Sequence, residues 1–239
     1  MHIQIDKDYA ALSARAADFI VAELKQRPDL LLCASAGGTP TGPYEQLAIR
    51  YTRRPQLFKK MRVVQIDEWV GPHPTHPATC RYDLQTKLLT PLRIDSSRFR
   101  GYKSDAADPR REPTAMSQWL AKNGPIDICI LGLGLNGHIA MNEPGDALTP
   151  NAHVSRLTAQ SQKHSMLATL KRKPRYGLTL GMADILFSRK ILLLISGATK
   201  TAILKRTLEQ HITTQLPASF LHLHPDVTVL CDRAAASSL

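Results

Sequence analysis

The sequence predicts an α/β domain: a mostly parallel β-sheet with helices on both faces. Three observations carry this. Short, nearly unbroken apolar runs at residues 30–34, 61–66, 126–131 and 191–195 read as strands buried on both sides. Segments with helical apolar spacing alternate with them. Glycines and polar groups collect just after the runs, where open parallel sheets bind ligands. The 239 residues, 43% of them hydrophobic, suffice for a single domain over residues 1–239 with a sizeable core.

The elements follow in order. Residues 9–26 space Leu12, Ala16, Phe19, Ile20 and Leu24 as an amphipathic helix, with Pro28 just beyond its end. The strand at 30–34 leads through a glycine-rich loop to a helix at 44–50. The Val- and Ile-rich strand at 61–66 leads to Asp67 and Glu68, a Pro- and His-rich loop, and a helix at 81–89. Residues 95–113 are polar and irregular, and 114–122 form a short helix. After the central strand and its loop come a short strand at 154–157, a helix at 161–170, a strand at 176–180 and a short helix at 181–187. The strand at 191–195, a helix at 201–210 and apolar pieces at 220–224 and 227–231 complete the chain. No repeat or low-complexity linker divides it.

Composition excludes several classes. No apolar run is long enough to span a bilayer, and residues 1–6 lack the basic-then-apolar layout of a signal peptide. No membrane partner and a cytoplasmic location are expected. Cys33, Cys80, Cys129 and Cys231 are far apart and form no CxxC, and the His73/His76 pair brackets a proline loop. No metal and no cofactor are therefore expected. The formal net charge of +11 is scattered, and aromatics make up only 5%, without a stacking platform. No nucleic-acid partner is expected; the charge reads as solvated surface that can attract a small anionic metabolite. The oligomeric state stays open, a homo-oligomer included.

Four stretches carry chemistry. Gly37, Gly38, Thr39 and Thr41 lie between a strand and a helix, a recipe for holding an anion on backbone N–H groups and a helix N-terminus. The loop does not fit GxxxxGK[ST], so no nucleotide P-loop is implied. Asp67 and Glu68 sit at a strand's carboxyl end. The central run ends in Gly132, Gly134 and Gly137, followed by Asn136, His138, Asn142 and Glu143 within one loop. Gly197 and Lys200 repeat the anion-friendly pattern at the start of a helix. Taken singly, each stretch has a plain competing explanation, an ordinary turn or a solvated strand end. An amide, an imidazole and a carboxylate packed into a dozen residues after a buried strand favour a site.

These pieces, in this order, resemble the glucosamine-6-phosphate deaminase/isomerase family over nearly the whole chain: Gly37-Gly38-Thr39-Pro40-Thr41, Asp67-Glu68-Trp69-Val70-Gly71, the run from Gly134 to Gly145 with its Asn142-Glu143-Pro144 ending, and Gly197-x-x-Lys200. Trp69 and the closing Pro217-Ala218-Ser219-Phe220-Leu221-x-Leu223-His224 are similar to the galactosamine-6-phosphate branch. The resemblance implies a Rossmann-like fold and a metal-free conversion of a 2-amino-2-deoxyhexose 6-phosphate to a ketohexose 6-phosphate plus ammonia. It implies that His138 is the ring-opening base, supported by Glu143 and oriented by Asn136. Asp67 would carry the C2 proton to C1. Gly37, Gly38, Thr39, Thr41 and Lys200 would hold the 6-phosphate of the sugar-phosphate partner.

Two departures from the family pattern stand out. Asn136 replaces the Asp that many members carry, and an amide cannot share the charge of His138. The arginine that usually grips phosphate after the central loop is missing from residues 161–167, leaving Lys163, His164 or the basic turn at 171–175 as substitutes. Two other classes compete: a 6-phosphogluconolactone hydrolase, against which the Asn142-Glu143-Pro144 ending argues, and a non-catalytic sugar-phosphate sensor, which would not need Asp67, His138 and Glu143 together.

Overall fold

The computed structural model describes residues 1–239. Seven parallel strands form the main sheet: β1 (His2–Asp6), β2 (Leu31–Ala34), β3 (Arg62–Gln65), β5 (Phe99–Arg100), β6 (Ile128–Gly132), β9 (Lys190–Ile195) and β10 (Val227–Asp232). Their order across the sheet is β1-β10-β9-β6-β2-β3-β5. Side chains alternate between two cores. Leu31, Cys33, Cys129, Leu131 and Leu193 face one side; Leu32, Ala34, Ile128, Ile130 and Leu192 face the other. Both faces are dry, which is why these strands read as continuous apolar runs rather than as alternating ones.

Helices α1 (Tyr9–Gln26) and α2 (Thr41–Arg53) cover the second face through Leu12, Ile20, Leu24 and Leu47. Asp8 caps α1 by accepting the N–H of Ala11 at 2.8 Å. The other face carries α4 (Arg111–Asn123), α5 (Met182–Leu186) and α6 (Thr201–Leu208) through Met116, Ile185, Ile203 and Leu204. Helix α3 (Cys80–Leu84) continues into one wide π turn at Gln85–Leu89. No helix is long and apolar enough to cross a membrane.

The chain leaves β2 toward β3 and β5 on one side, then returns to place β6 on the other. Beyond the carboxyl ends of β2 and β6 the connections diverge, leaving the crevice where α/β sheets take ligands.

Several elements differ from the sequence expectation. A second sheet, antiparallel in the order β4-β8-β7, caps this end: β4 (Asp67–Trp69), β8 (Tyr176–Thr179) and β7 (His153–Arg156). Strand β3 stops at Gln65, and the chain turns at Ile66 so that Asp67 pairs with Thr179 of β8. Strand β1 escapes the apolar pattern because it is an edge strand, exposed at four of its five residues. The irregular stretch at 95–113 contains β5 and the start of α4. The helix expected at 161–170 is instead two 3-10 turns, Ser161–Lys163 and Ser165–Leu167, broken at His164, whose ψ of 138° is not helical. The Thr158 hydroxyl receives the Ser161 N–H at 3.2 Å, and the His164 ring receives the Met166 N–H at 3.3 Å. Such side-chain acceptors compete with a continuous helix.

Candidate active site

A cleft of about 220 Å³ opens over the ends of β2, β3, β6 and β9. Gly37, Gly38, Thr39, Asp67, His138 and Lys200 all line it, although they span 163 positions of sequence separation from Gly37 to Lys200. Trp69, Cys80, Ser161, Lys163 and His164 complete much of its wall.

After β2, the glycine loop is held from outside the cleft. Tyr9 Oη lies 3.0 and 2.9 Å from the carbonyl oxygens of Gly38 and Thr39 and accepts the Gly42 N–H at 2.8 Å. Gly37, at φ +110°, makes the sharp turn that a side chain would strain. Its N–H is taken by Asp83 at 3.0 Å, so it does not face a ligand. The Thr41 hydroxyl likewise turns back to Gly37 O at 2.8 Å, and Thr41 does not line the cleft. The N–H groups of Gly38 and Thr39 have no protein acceptor. They are the donors this loop offers.

Asp67 and Glu68 separate into two roles. Glu68 is fully buried and accepts the N–H groups of Trp69, Cys80 and Arg81 at 2.7–2.9 Å and the amide of Gln65 at 2.9 Å. It anchors the N-terminus of α3. Asp67 faces the cleft. Burial, with the neighbouring Glu68 charge, pushes its carboxyl up from 3.8 to about 7; a hydrogen bond with the Cys80 thiol acts in the opposite sense. Cys80 itself is buried, and burial with three nearby carboxylates pushes its thiol well up, so it is no thiolate nucleophile at neutral pH.

The loop after β6 presents His138. Its ring lies over Gly134, where an added Cβ would sit 2.5 Å from three ring atoms. That close approach requires glycine. His138 Nδ1 stands 3.3 Å from Ser161 Oγ and 3.6 Å from Glu143 Oε2. This leaves Nε2 without a protein partner. Glu143 also accepts the amide of Asn136 at 3.0 Å and the Thr158 hydroxyl at 3.1 Å. Burial works against its ionisation, but His138, Ser161 and Asn136 outweigh that and hold the carboxyl at about 2.

Asn136 does not orient the imidazole by touching it. Its amide nitrogen donates to Glu143, while its Oδ1 accepts the backbone N–H of His138 at 3.2 Å. It fixes the loop and the carboxylate, and the carboxylate faces the ring. Thr158 and Ser161, the hydroxyls of this network, escaped the sequence reading; nothing local marks a hydroxyl 15 to 23 residues away as a partner.

Lys200, in a 3-10 turn before α6, donates from Nζ to Leu133 O at 2.5 Å, and burial lowers its pKa. Of the three substitutes for an arginine, Lys163 and His164 line the cleft and the turn at 171–175 does not. No group of three or more His, Cys, Asp and Glu side chains is arranged to hold a metal ion.

In chemical terms the cleft joins a poised carboxylate, an imidazole backed by an ionised carboxylate, and a cationic end with free backbone N–H donors. Proton transfers on a small anionic substrate fit that set.

Comparisons with known proteins place the chain in a family. A family model described as glucosamine-6-phosphate isomerases/6-phosphogluconolactonase matches residues 6–230. The AgaI protein of Escherichia coli (strain K12), which carries a provisional deaminase name, is 36% identical over 95% of this chain and 90% of its own. Glucosamine-6-phosphate deaminase 1 of Bacillus subtilis (strain 168) is 35% identical over 99% of both. The solved structure of a monomeric glucosamine-6-phosphate deaminase superposes with a TM-score of 0.95 at 35% identity, over 99% of both chains. A 6-phosphogluconolactonase from Trypanosoma brucei, at 20% identity and a TM-score of 0.79, shares the fold. The chain belongs to the glucosamine-6-phosphate isomerase/6-phosphogluconolactonase family.

Proposed function

We propose that this protein is a hexosamine 6-phosphate deaminase/isomerase. The reaction converts a 2-amino-2-deoxyhexose 6-phosphate and water to a ketohexose 6-phosphate and ammonia. The observation that carries the reading is Asp67, a carboxyl pushed up to about 7, facing the same cleft as the His138–Glu143 pair.

Each group suits one step. The pyranose opens when a base takes the anomeric hydroxyl proton and the ring oxygen receives one. His138 Nε2 is free to do this, while Glu143 and Ser161 face Nδ1 and steady the imidazolium that forms. Asp67 then removes the C2 proton of the open-chain aldehyde, giving an enolamine, and returns it to C1. C2 becomes an iminium carbon. Water adds there, ammonia leaves, and the C2 ketone remains. A carboxyl near 7 can both take and give that proton at neutral pH. The Gly38 and Thr39 N–H groups and Lys200 hold the 6-phosphate, fixing the reacting carbons at the other end.

Between epimers, Trp69 and the motif from Pro217 to His224 favour galactosamine 6-phosphate, with tagatose 6-phosphate as product. Glucosamine 6-phosphate, giving fructose 6-phosphate, is the competing substrate. Ammonia release with each, compared as kcat/KM, tests the reading. Release from either supports the deaminase, and the larger ratio assigns the epimer. Absence of ammonia from both would overturn it.

A further inference from the structure

His164 is a built donor that the steps above leave unused. The ring is held between two 3-10 turns, where Nδ1 accepts the Met166 N–H at 3.3 Å. A nitrogen that accepts carries no proton, so the neutral ring bears its proton on Nε2. No protein group bonds Nε2. The ring lies against the glycine loop: a Cβ built on Gly37 would be 3.8 Å from Cε1 and 3.9 Å from Nε2. Trp69 flanks it at 5.8 Å between ring centroids.

The surrounding charges come from four elements. Lys200 before α6 and Lys163 in the neighbouring turn are the cationic groups, His138 after β6 is a further titratable one, and Asp83 of α3 is the acidic one. Asp83 is already paired with Lys87 at 2.5 Å and with the Gly37 N–H. A directed N–H therefore faces a cleft end rich in cations and free backbone donors, with no anion of its own to receive it.

We propose that His164 is a phosphate ligand: its Nε2–H donates to a phosphate oxygen of the bound sugar phosphate, and as the dianion binds the ring takes a second proton on Nδ1, which gives up the Met166 N–H. This rests on reading the cleft as a sugar-phosphate site. In the free protein His164 is exposed to solvent at the cleft, and partial desolvation together with His138 and Lys200 holds it below its ordinary value, against the pull of Asp83. A dianion beside it reverses the balance. Binding therefore takes up a proton at His164, and affinity strengthens as pH falls from 8 to 6.5. Each unit by which the bound pKa exceeds the free one yields up to about a tenfold change.

The test is calorimetry with glucitol 6-phosphate, an open-chain probe that cannot react, at pH 6.5 and 8. Asp67 and His138 face the same cleft, so the readout is the difference between wild type and variant. His164→Ala should weaken binding about 10- to 100-fold at pH 6.5, the loss expected for a hydrogen bond to a charged group. Its pH dependence should be flatter than that of the wild type. His164→Gln, which returns a neutral donor near Nε2, should recover part of the affinity at pH 8 but not the steeper pH response. In turnover, KM should rise far more than kcat falls. Wild-type affinity and pH response in His164→Ala would overturn the proposal and leave the deaminase reading intact. Failure of the folded wild type to bind glucitol 6-phosphate would overturn both.

Discussion

Replacing Asp67 with Asn separates the stability and the chemistry of one half-buried carboxylate. Its pKa rises from 3.8 to about 7 on folding, chiefly through burial and then through Glu68. A carboxyl that holds its proton more tightly when folded favours the folded state less and less as pH climbs above 3.8, until pH passes 7. The shift is about 3 units, and at about 1.36 kcal/mol per unit the upper limit is ~4 kcal/mol. Solvent entering from the cleft lowers this, and ~2 kcal/mol is the expected gain for a side chain of the same shape that never ionises. Asp67→Asn should therefore be more stable than wild type by ~2 kcal/mol at pH 8, with roughly a quarter of that at pH 4.5. For a domain of this size that is about 4–8 °C in Tm. Thermal unfolding by circular dichroism at the two pH values measures it. Ammonia release from the same samples should fall by about 10²–10⁴-fold. A variant no more stable than wild type at pH 8 would show that Asp67 is not strained by burial. The argument for a poised base would then fail.

Other outcomes follow from neighbouring groups. In the proposed reaction the base form of Asp67 is the working one, so kcat/KM should climb with pH through about 7. Cys80→Ala, which removes the hydrogen bond favouring the ionised form, should move that limb to higher pH. Glu143→Gln should lose stability at pH 7. The carboxyl lies at about 2 folded against 4.5 unfolded, so its contribution is full above 4.5 and fades as pH falls toward 2. The effect is at most ~3 kcal/mol, and urea titrations at pH 7 and 3 should show the gap between variant and wild type narrowing in acid. Gly134→Ala should keep the fold but displace the His138 ring, which a Cβ would meet at 2.5 Å. A kcat loss of about 100-fold with little change in Tm is the expected signature.

The strands that build the cleft were readable because both their faces are buried. Residues 30–34 and 191–195 carry no polar interruption and 126–131 carry only Asp127, and the glycines after them mark the turns into the crevice. Strand β1 was not readable, since an exposed edge needs no apolar pattern. Strand β4 was not either: three residues are too few for a period, and its pairing with β8 joins positions more than a hundred residues apart. Residues 161–170 have the composition of a helix, but hydroxyl and imidazole acceptors at Thr158 and His164 break it into turns.

Within the site, Asp67, Asn136, His138, Glu143 and Lys200 were named from local context; the structure brings Asp67, His138 and Lys200 to one cleft and sets Glu143, with Asn136 bonded to it, behind the His138 ring. What the sequence could not supply was direction. Thr41 and the N–H of Gly37 belong to an anion-binding pattern, yet both are spent within the protein, on Gly37 O and Asp83. Asn136 serves the imidazole through Glu143 and the backbone rather than by contact. Thr158 and Ser161 became visible only once folding placed them beside Glu143 and His138.

The most direct test of the account follows galactosamine 6-phosphate by proton NMR in D₂O with wild type and Asp67→Asn side by side. The wild type should release ammonium and form a ketohexose 6-phosphate that carries the old C2 hydrogen, or deuterium exchanged through Asp67, at C1. The Asn variant should form almost none. Equal conversion by both proteins would contradict the role of Asp67. An unchanged substrate with wild type, repeated for glucosamine 6-phosphate, would contradict the amino-sugar chemistry altogether.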